Sequence, residues 1–501
     1  MSIQNNDNRF STRWGLLLSV LGIAVGTGNI WRFPRIAAQN AGDDGAGSFL
    51  FAWLIFLVVW SIPLIIAEYA LGRTSRKGVL GTFAMIAGPR FGWMGAFIAF
   101  VASAIMFYYS VVAGWCVFYF ITSTAKSLPI STDASTMIWD NFQSGGWPVL
   151  FHGLAMSLGA VAVWQGVKSI EKVNRILIPT LLVIVLISLV RSITLPGSFE
   201  GVKFLFTPDW ETLQQPRIWL EALTQNAWDT GAGWGLIMTY GAYMQKKHGV
   251  VKNALITGIG NNLVSLVAAI TIFGVVFAIL GAEMSRAGVL DVMKQSGPAS
   301  TGLTFIWMPQ LFAKMAGGKL LAMLFFLGLS FAAFSSLISM IELATRVLVD
   351  MGIKRKAAIA TICGIGFLLG LPSAINLNFL GNQDFVWGVA LMICGAFVAF
   401  AVIRYGVKKF REDTLKSIPG DWNPGAKWDF IIKYAVPTQA IILLGWWLFL
   451  SATVYAPDTW FDPTDPYSVM TCLVQWGLVL GIFILLNKKL VSRTLGQPGD
   501  S

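Results

Sequence analysis

The sequence predicts an all-α integral membrane protein of about twelve transmembrane helices, and three observations carry that prediction. Hydrophobic residues make up 55% of the 501-residue chain and charged residues 12%, where an ordinary soluble domain carries about 25% charged residues. Apolar runs separated by polar connections repeatedly reach the roughly 20 residues that cross a bilayer as a helix. Lys and Arg gather in alternate connections, the asymmetry that orients a polytopic chain.

In order, the spans read as 14–37, 47–72, 91–124, 149–165, 174–194, 216–243, 253–282, 318–350, 357–371, 383–405, 429–454 and 467–487. The third and eighth are long enough to tilt or to project beyond the bilayer. One set of connections carries Arg9 and Arg13, Arg73 to Lys77 with Arg90, Lys168 to Arg175, and Lys246, Lys247 and Lys252. The same set continues with Lys354 to Lys356, Lys408 to Arg411, and Lys488 to Arg493. The opposite connections hold Asp43 and Asp44 and the trio Asp458, Asp462 and Asp465. Both termini are therefore expected in the cytoplasm of a cell whose inner membrane the chain crosses many times. The polar first ten residues show no cleavable signal, and the absence of an Asn-x-Ser/Thr acceptor fits a bacterial membrane.

Two spans break their own pattern. The run Gly22-Ile-Ala-Val-Gly-Thr-Gly-Asn-Ile-Trp-Arg-Phe-Pro34 puts three glycines, an asparagine, an arginine and a proline into the first apolar stretch. A membrane offers no water to freed backbone groups, so such a break survives only against protein or a wet cavity. Close helix packing at Gly22-x-x-x-Gly26 is the simpler reading of that run alone. A second break, Gln225-Asn-Ala-Trp-Asp-Thr-Gly-Ala-Gly-Trp-Gly235, follows about five spans later and so enters from the opposite side. Matching interruptions in two halves point to a 5+5 inverted repeat with broken helices 1 and 6. The chain then divides into a cytoplasmic N-terminus (1–13), a first repeat (14–194), an extracellular loop (195–215) and a second repeat (216–405). Helices 11 and 12 (406–487) and a cytoplasmic tail (488–501) complete it. The outer segments 125–148, 195–215 and 283–317 carry short helical patterns and read as caps over a vestibule.

Several function classes fall away. Cys116, Cys363, Cys394 and Cys472 lie far apart in apolar runs and read as core, with neither metal nor disulfide spacing. His152 and His248 are the only histidines. The basic excess follows topology, not nucleic acid. Mid-span acids (Glu68, Asp229, Glu342) are scattered, so an intramembrane enzyme is not expected.

The first break resembles the first-span signature of the neurotransmitter:sodium symporter family, bacterial branch, with the leucine-transporter fold. Pro63 to Arg73 resembles its second-span motif, Tyr108-Tyr109 to Trp115 its third span, Gly166 to Pro179 the stretch between spans four and five, and Ala332 to Ser336 its eighth. The resemblance implies two sodium sites. One uses the carbonyls of Gly22, Val25 and Ala332 with the hydroxyls of Ser335 and Ser336; neutral oxygens suit a small hard cation. The other uses the Ala24 carbonyl, Asn29, Asn261 and Asp229. The serine pair could instead bond back to the preceding helical turn. The implied substrate positions are Ala24, Gly26, Thr27, Gly28, Ile105, Tyr109, Trp228, Asp229, Gly231, Trp234, Ser336 and Met340. The family's amine carriers place an aspartate where this chain has Gly26, and its amino-acid carriers a glycine. Arg32 and Asp384 match the outer gate, Tyr109 and Trp234 the aromatic lid, and Asp350 the acidic half of an inner gate whose basic half would be Arg9.

The chain departs from the family where it has Asp229 for the usual Ser or Thr, Ser265 for the glutamate of many bacterial members, Trp53 for a chloride-holding tyrosine, and Ser169 for a helix-breaking glycine. Gln225 is kept. The expectation is sodium-coupled import of a small amino acid by alternating access, with chloride not required because Asp229 supplies the charge. A related zwitterion or amine such as a sulfonate is the alternative, with proton coupling through Asp229 a further version.

Overall fold

The computed structural model describes residues 9–245, 247–294, 302–416 and 418–496; Lys246 and the outermost parts of both predicted terminal segments lie outside them. The first predicted span is α1 (Arg13–Ala24) and α2 (Gly28–Gln39), meeting at 50°. There follow α3 (Gly47–Ser75) and α4 (Pro89–Ala125), α5 (Trp147–Val163) and α6 (Val167–Ile193). The sixth span is α7 (Pro216–Thr230) and α8 (Leu236–Ala242). Then come α9 (Val251–Leu280), α10 (Gly318–Asp350), α11 (Arg355–Ile375), α12 (Leu377–Tyr405), α13 (Gly425–Tyr455) and α14 (Val469–Leu495). Nine helices among the described residues are individually long and apolar enough to cross a membrane, and two bent pairs raise this to as many as eleven. The sixth predicted span stands outside that count because residues 231–235 split it into two short helices.

The prediction places the start of the fifth span at 174, whereas α6 begins at Val167. Charge alone reads that turn as loop. In the structure Glu171, facing inward from it, accepts the Ser11 amide at 2.8 Å and the Ser11 hydroxyl at 2.7 Å, and pairs with Arg175 at 2.6 Å. The helix thus projects to hold the N-terminal segment. Short helices Thr132–Gln143, Ser198–Phe206 and Arg286–Lys294 lie in the three predicted capping segments. The Arg286 guanidinium binds the carbonyls of Asp43 and Asp44 at 2.9 and 2.8 Å, which ties that connection to one cap.

The long helices α4 and α10 pack along each other through the centre. The two breaks lie beside them and are built differently. In the first, α1 stops when Val25 leaves helical geometry (φ −82°, ψ 82°), with no glycine at positive φ. In the second, Gly231, Gly233 and Gly235 have φ of 67°, 94° and 76°, a region costly for any residue with a Cβ.

Candidate functional site

A helix that ends inside a membrane leaves backbone groups to be satisfied. At the second break, Glu68 of α3 does this. Its Oε1 accepts the amides of Gly233 (2.7 Å) and Gly235 (3.3 Å), and its Oε2 that of Met238 (3.0 Å). A carboxylate on the first turn of α8 also complements the positive end of that helix. At the first break the groups are carbonyls, and a helix C-terminus favours positive charge. Gly26 N–H returns to Ala24 O at 3.0 Å and the Ser336 hydroxyl lies 3.4 and 3.3 Å from the carbonyls of Gly22 and Ile23.

Of the five residues expected around one cation, Gly22, Ala332, Ser335 and Ser336 meet at this junction of α1 and α10. Gly22 is pressed against Ser335: a Cβ there would stand 3.1 Å from the Ser335 Cβ. Ser335 itself bonds back to Ala332 O at 3.0 Å, so back-bonding holds for one serine while its neighbour reaches across to α1. Ala332 and Val25 are buried.

The groups expected around the other cation also converge. Asn29 accepts the Gly26 amide at 2.8 Å and donates to Asn261 Oδ1 and Ser265 Oγ, both at 2.7 Å. The Asn261 oxygen stands 2.9 Å from Ala24 O and 3.1 Å from the backbone oxygen of Asp229. Three oxygens this close repel one another unless a positive charge lies among them or the amide turns to present its nitrogen. The Asp229 carboxylate faces elsewhere, accepting Gln225 Nε2 at 2.7 Å and Ser265 Oγ at 3.1 Å. Sequence alone does not separate these two parts of Asp229; the structure turns its carbonyl to Asn261 and its carboxylate to the two side chains.

A cavity of about 510 Å³ reaches Ser336 of the first set and Ala24, Asn29 and Asp229 of the second. Ala24, Gly26, Thr27, Gly28, Tyr109, Trp228, Asp229, Gly231, Trp234, Ser336 and Met340 all line it, as expected from sequence. Ile105 does not: it is fully buried on α4 behind that wall. It shares the helical face of Tyr109 four residues on. The Tyr109 hydroxyl lies 3.3 Å from the Thr27 amide and 3.1 Å from its side-chain oxygen. A Cβ on Gly26 would meet Ser336 Oγ at 2.9 Å and the Tyr109 hydroxyl at 3.3 Å. An aspartate there would have to displace the Ser336 hydroxyl and crowd that of Tyr109.

The gates differ from expectation in their pairing. Arg32 and Asp384 both line the cavity, but Arg32 lies over the Trp228 ring at 5.2 Å and Asp384 accepts from Tyr108 at 3.1 Å. Trp234 packs edge-on against Trp228, with centroids 5.0 Å apart, rather than against Tyr109. At the basic end Asp350 pairs with Arg346 at 2.9 Å and accepts the Gly78 amide at 2.5 Å. Arg346 lies one turn before Asp350 on the same helix. Glu342, fully buried, is held by Arg355 at 2.5 Å and by the Tyr243 hydroxyl at 2.6 Å. Tyr108, Arg35, Glu221 and Val112 also line the cavity without being singled out by the sequence; Tyr108 alone carries a signal there, as part of the Tyr108-Tyr109 pair.

The model of the Sodium:neurotransmitter symporter family matches residues 7–146 and 147–494. The chain belongs to this family. Its members are transporters that use sodium, and the chain is a multi-pass membrane protein with a small-molecule substrate rather than an enzyme. It is 28% identical over 500 residues to an uncharacterised sodium-dependent transporter of Methanocaldococcus jannaschii, covering 96% of this chain and 97% of that one. It is 27% identical to the human sodium- and chloride-dependent taurine transporter, over 98% of this chain and 85% of the relative. The crystal structure of MhsT in complex with L-phenylalanine superimposes with a TM-score of 0.76 at 28% identity, covering 87% of this chain and 98% of that one.

Proposed function

We propose that the protein imports a small amino acid together with sodium by alternating access, and that Asp229 makes this transport independent of chloride. The observation that carries the reading is the packing at Gly26, where the Tyr109 and Ser336 hydroxyls fill the space of a side chain. The family's amine carriers place a carboxylate there. A substrate carboxylate instead finds the Tyr109 hydroxyl, the backbone of residues 26–28 and a cation at the Asn29–Asn261 set. Charge-assisted bonds of that kind are about twice as strong as neutral ones. MhsT, with its bound L-phenylalanine, supports an amino acid.

The basic end is taken as cytoplasmic, as the positive-inside rule requires. The cavity runs from the breaks to Arg217, Tyr455 and Tyr467 near the acidic end, while Arg346–Asp350 and Arg355–Glu342 bind the basic end together. This arrangement is that of an outward-facing carrier. Sodium at both sets would favour it, substrate would draw Trp234 and the Arg32–Asp384 pair closed, and the basic end would then open. Only a difference in affinity between the two states can drive that exchange.

Chloride independence rests on Gln225, Ser265 and residue 53, the positions associated with chloride in the family resemblance. Here Gln225 and Ser265 both bond the Asp229 carboxylate, and Trp53 is buried against Phe33 with centroids 4.4 Å apart. A sulfonate is the second reading, favoured by the taurine transporter's similarity along nearly the whole chain. A thermal-shift screen of the purified protein against amino acids, amines and sulfonates, in sodium and in potassium, separates the classes through linkage. Stabilisation by an amino acid in sodium alone is expected; stabilisation only by amines, or equally in potassium, would overturn the reading.

A further inference from the structure

Asn174 of α6 is fully buried, and neither its amide oxygen nor its amide nitrogen has a hydrogen-bond partner among the described residues. Leaving a carboxamide unsatisfied in a membrane interior is expensive, so such a group calls for an explanation. Its position supplies one. A Cβ on Gly22 would lie 3.4 Å from Asn174 Oδ1 and 3.1 Å from the Ser335 Cβ. The absent side chain at Gly22 therefore lets α6 and α10 approach the same point on α1, beside the expected Gly22–Ser335–Ser336 cation set. Three residues earlier on α6, on the same helical face, Glu171 closes over Gly15 and holds Ser11. Ser19, one turn before Gly22 on α1, is also fully buried, and its hydroxyl has no partner among the described residues. Two buried, unsatisfied polar side chains thus lie between the cation set and the closed basic end.

We propose that Asn174 is a further ligand for the sodium ion of this set, its Oδ1 sharing the cation with the Gly22 carbonyl and the serine hydroxyls from the α6 side. A neutral oxygen is well matched to that role, because it replaces one hydration contact of a small hard cation without adding a charge that would hinder its release. The inference rests on the sodium-site reading above and adds to it a residue from a helix outside that set.

The test is a sodium titration of the full-length purified protein against potassium at constant ionic strength, with sodium alone as the probe and thermal unfolding as the readout. Asn174→Leu is expected to raise half-saturating sodium at least 10-fold, Asn174→Asp to lower it at least 10-fold, and Asn174→Ser to lie between wild type and Asn174→Leu. A packing role alone would lower the melting temperature in potassium and leave half-saturation in place. Unchanged half-saturation in Asn174→Asp and Asn174→Ser would overturn the proposal, even if Asn174→Leu fails to fold. A wild-type protein that sodium does not stabilise would remove the sodium-site reading itself, a separate result from unchanged variants on a responsive wild type.

Discussion

Replacing Asp229 by asparagine keeps the shape and removes the charge. The Asp229 carboxylate is 3.1 Å from Ser265 Oγ, which is 2.7 Å from the Asn29 amide nitrogen. A cation at the Asn29–Asn261 set therefore lies roughly 6–8 Å from it, and at an effective dielectric of about 20 that separation is worth about 2–3 kcal/mol. Sodium half-saturation of uptake should then rise roughly 30- to 100-fold in Asp229→Asn. An anion should recover part of the loss, because Gln225 and Ser265 are left as donors without their carboxylate. The assay is sodium-dependent uptake in proteoliposomes, with chloride or gluconate as the anion. Wild type is expected to be indifferent to the exchange, while Asp229→Asn gains activity in chloride. A wild-type protein that stops in gluconate, or an Asp229→Asn protein with unaltered sodium dependence, would refute the reasoning.

Two further substitutions probe the breaks. Tyr109→Phe removes the hydroxyl that the Thr27 amide and side chain contact; a hydrogen bond to a charged group is worth about 1.5–3 kcal/mol, so substrate affinity should fall roughly 10- to 100-fold, on top of a lower melting temperature without substrate from the freed Thr27 groups. Glu68→Gln leaves one carbonyl oxygen where two carboxylate oxygens now serve Gly233, Gly235 and Met238. At least one of those buried amides loses its acceptor, and stability should drop by about 1–3 kcal/mol, read as a lower melting temperature in sodium and potassium alike.

Both breaks are legible in the sequence, because glycines and polar residues in an apolar run contradict the requirement for continuous backbone bonding. The groups within one break are equally legible: Gly26, Thr27 and Gly28 line the cavity as expected. Less visible are contacts made across long sequence separations. Nothing at Glu68 announces that it caps a helix beginning 168 residues later at Leu236, since the carboxylate's acceptor role depends on tertiary approach. Asp229 is conspicuous as a buried acid, but only the fold divides its carbonyl from its carboxylate. Ile105 shares the face of Tyr109 by helical spacing, and spacing does not say which residues of that face reach the cavity. The Arg346–Asp350 pair has ordinary i, i+4 helical spacing, yet the family resemblance points past it to Arg9. Glycine's two uses are also merged in the sequence. Gly231, Gly233 and Gly235 serve positive φ, whereas Gly26 serves close approach.

Sodium-coupled uptake tests the central claim most directly. Purified protein is reconstituted into vesicles, the amino acid chosen by the thermal-shift screen is added in labelled form, and an inward sodium gradient is imposed. The label should accumulate above its outside concentration, at matched membrane potential, and leave again when the sodium gradient is dissipated. Entry that only equilibrates, or that proceeds equally with potassium in place of sodium, would contradict a sodium-driven symporter.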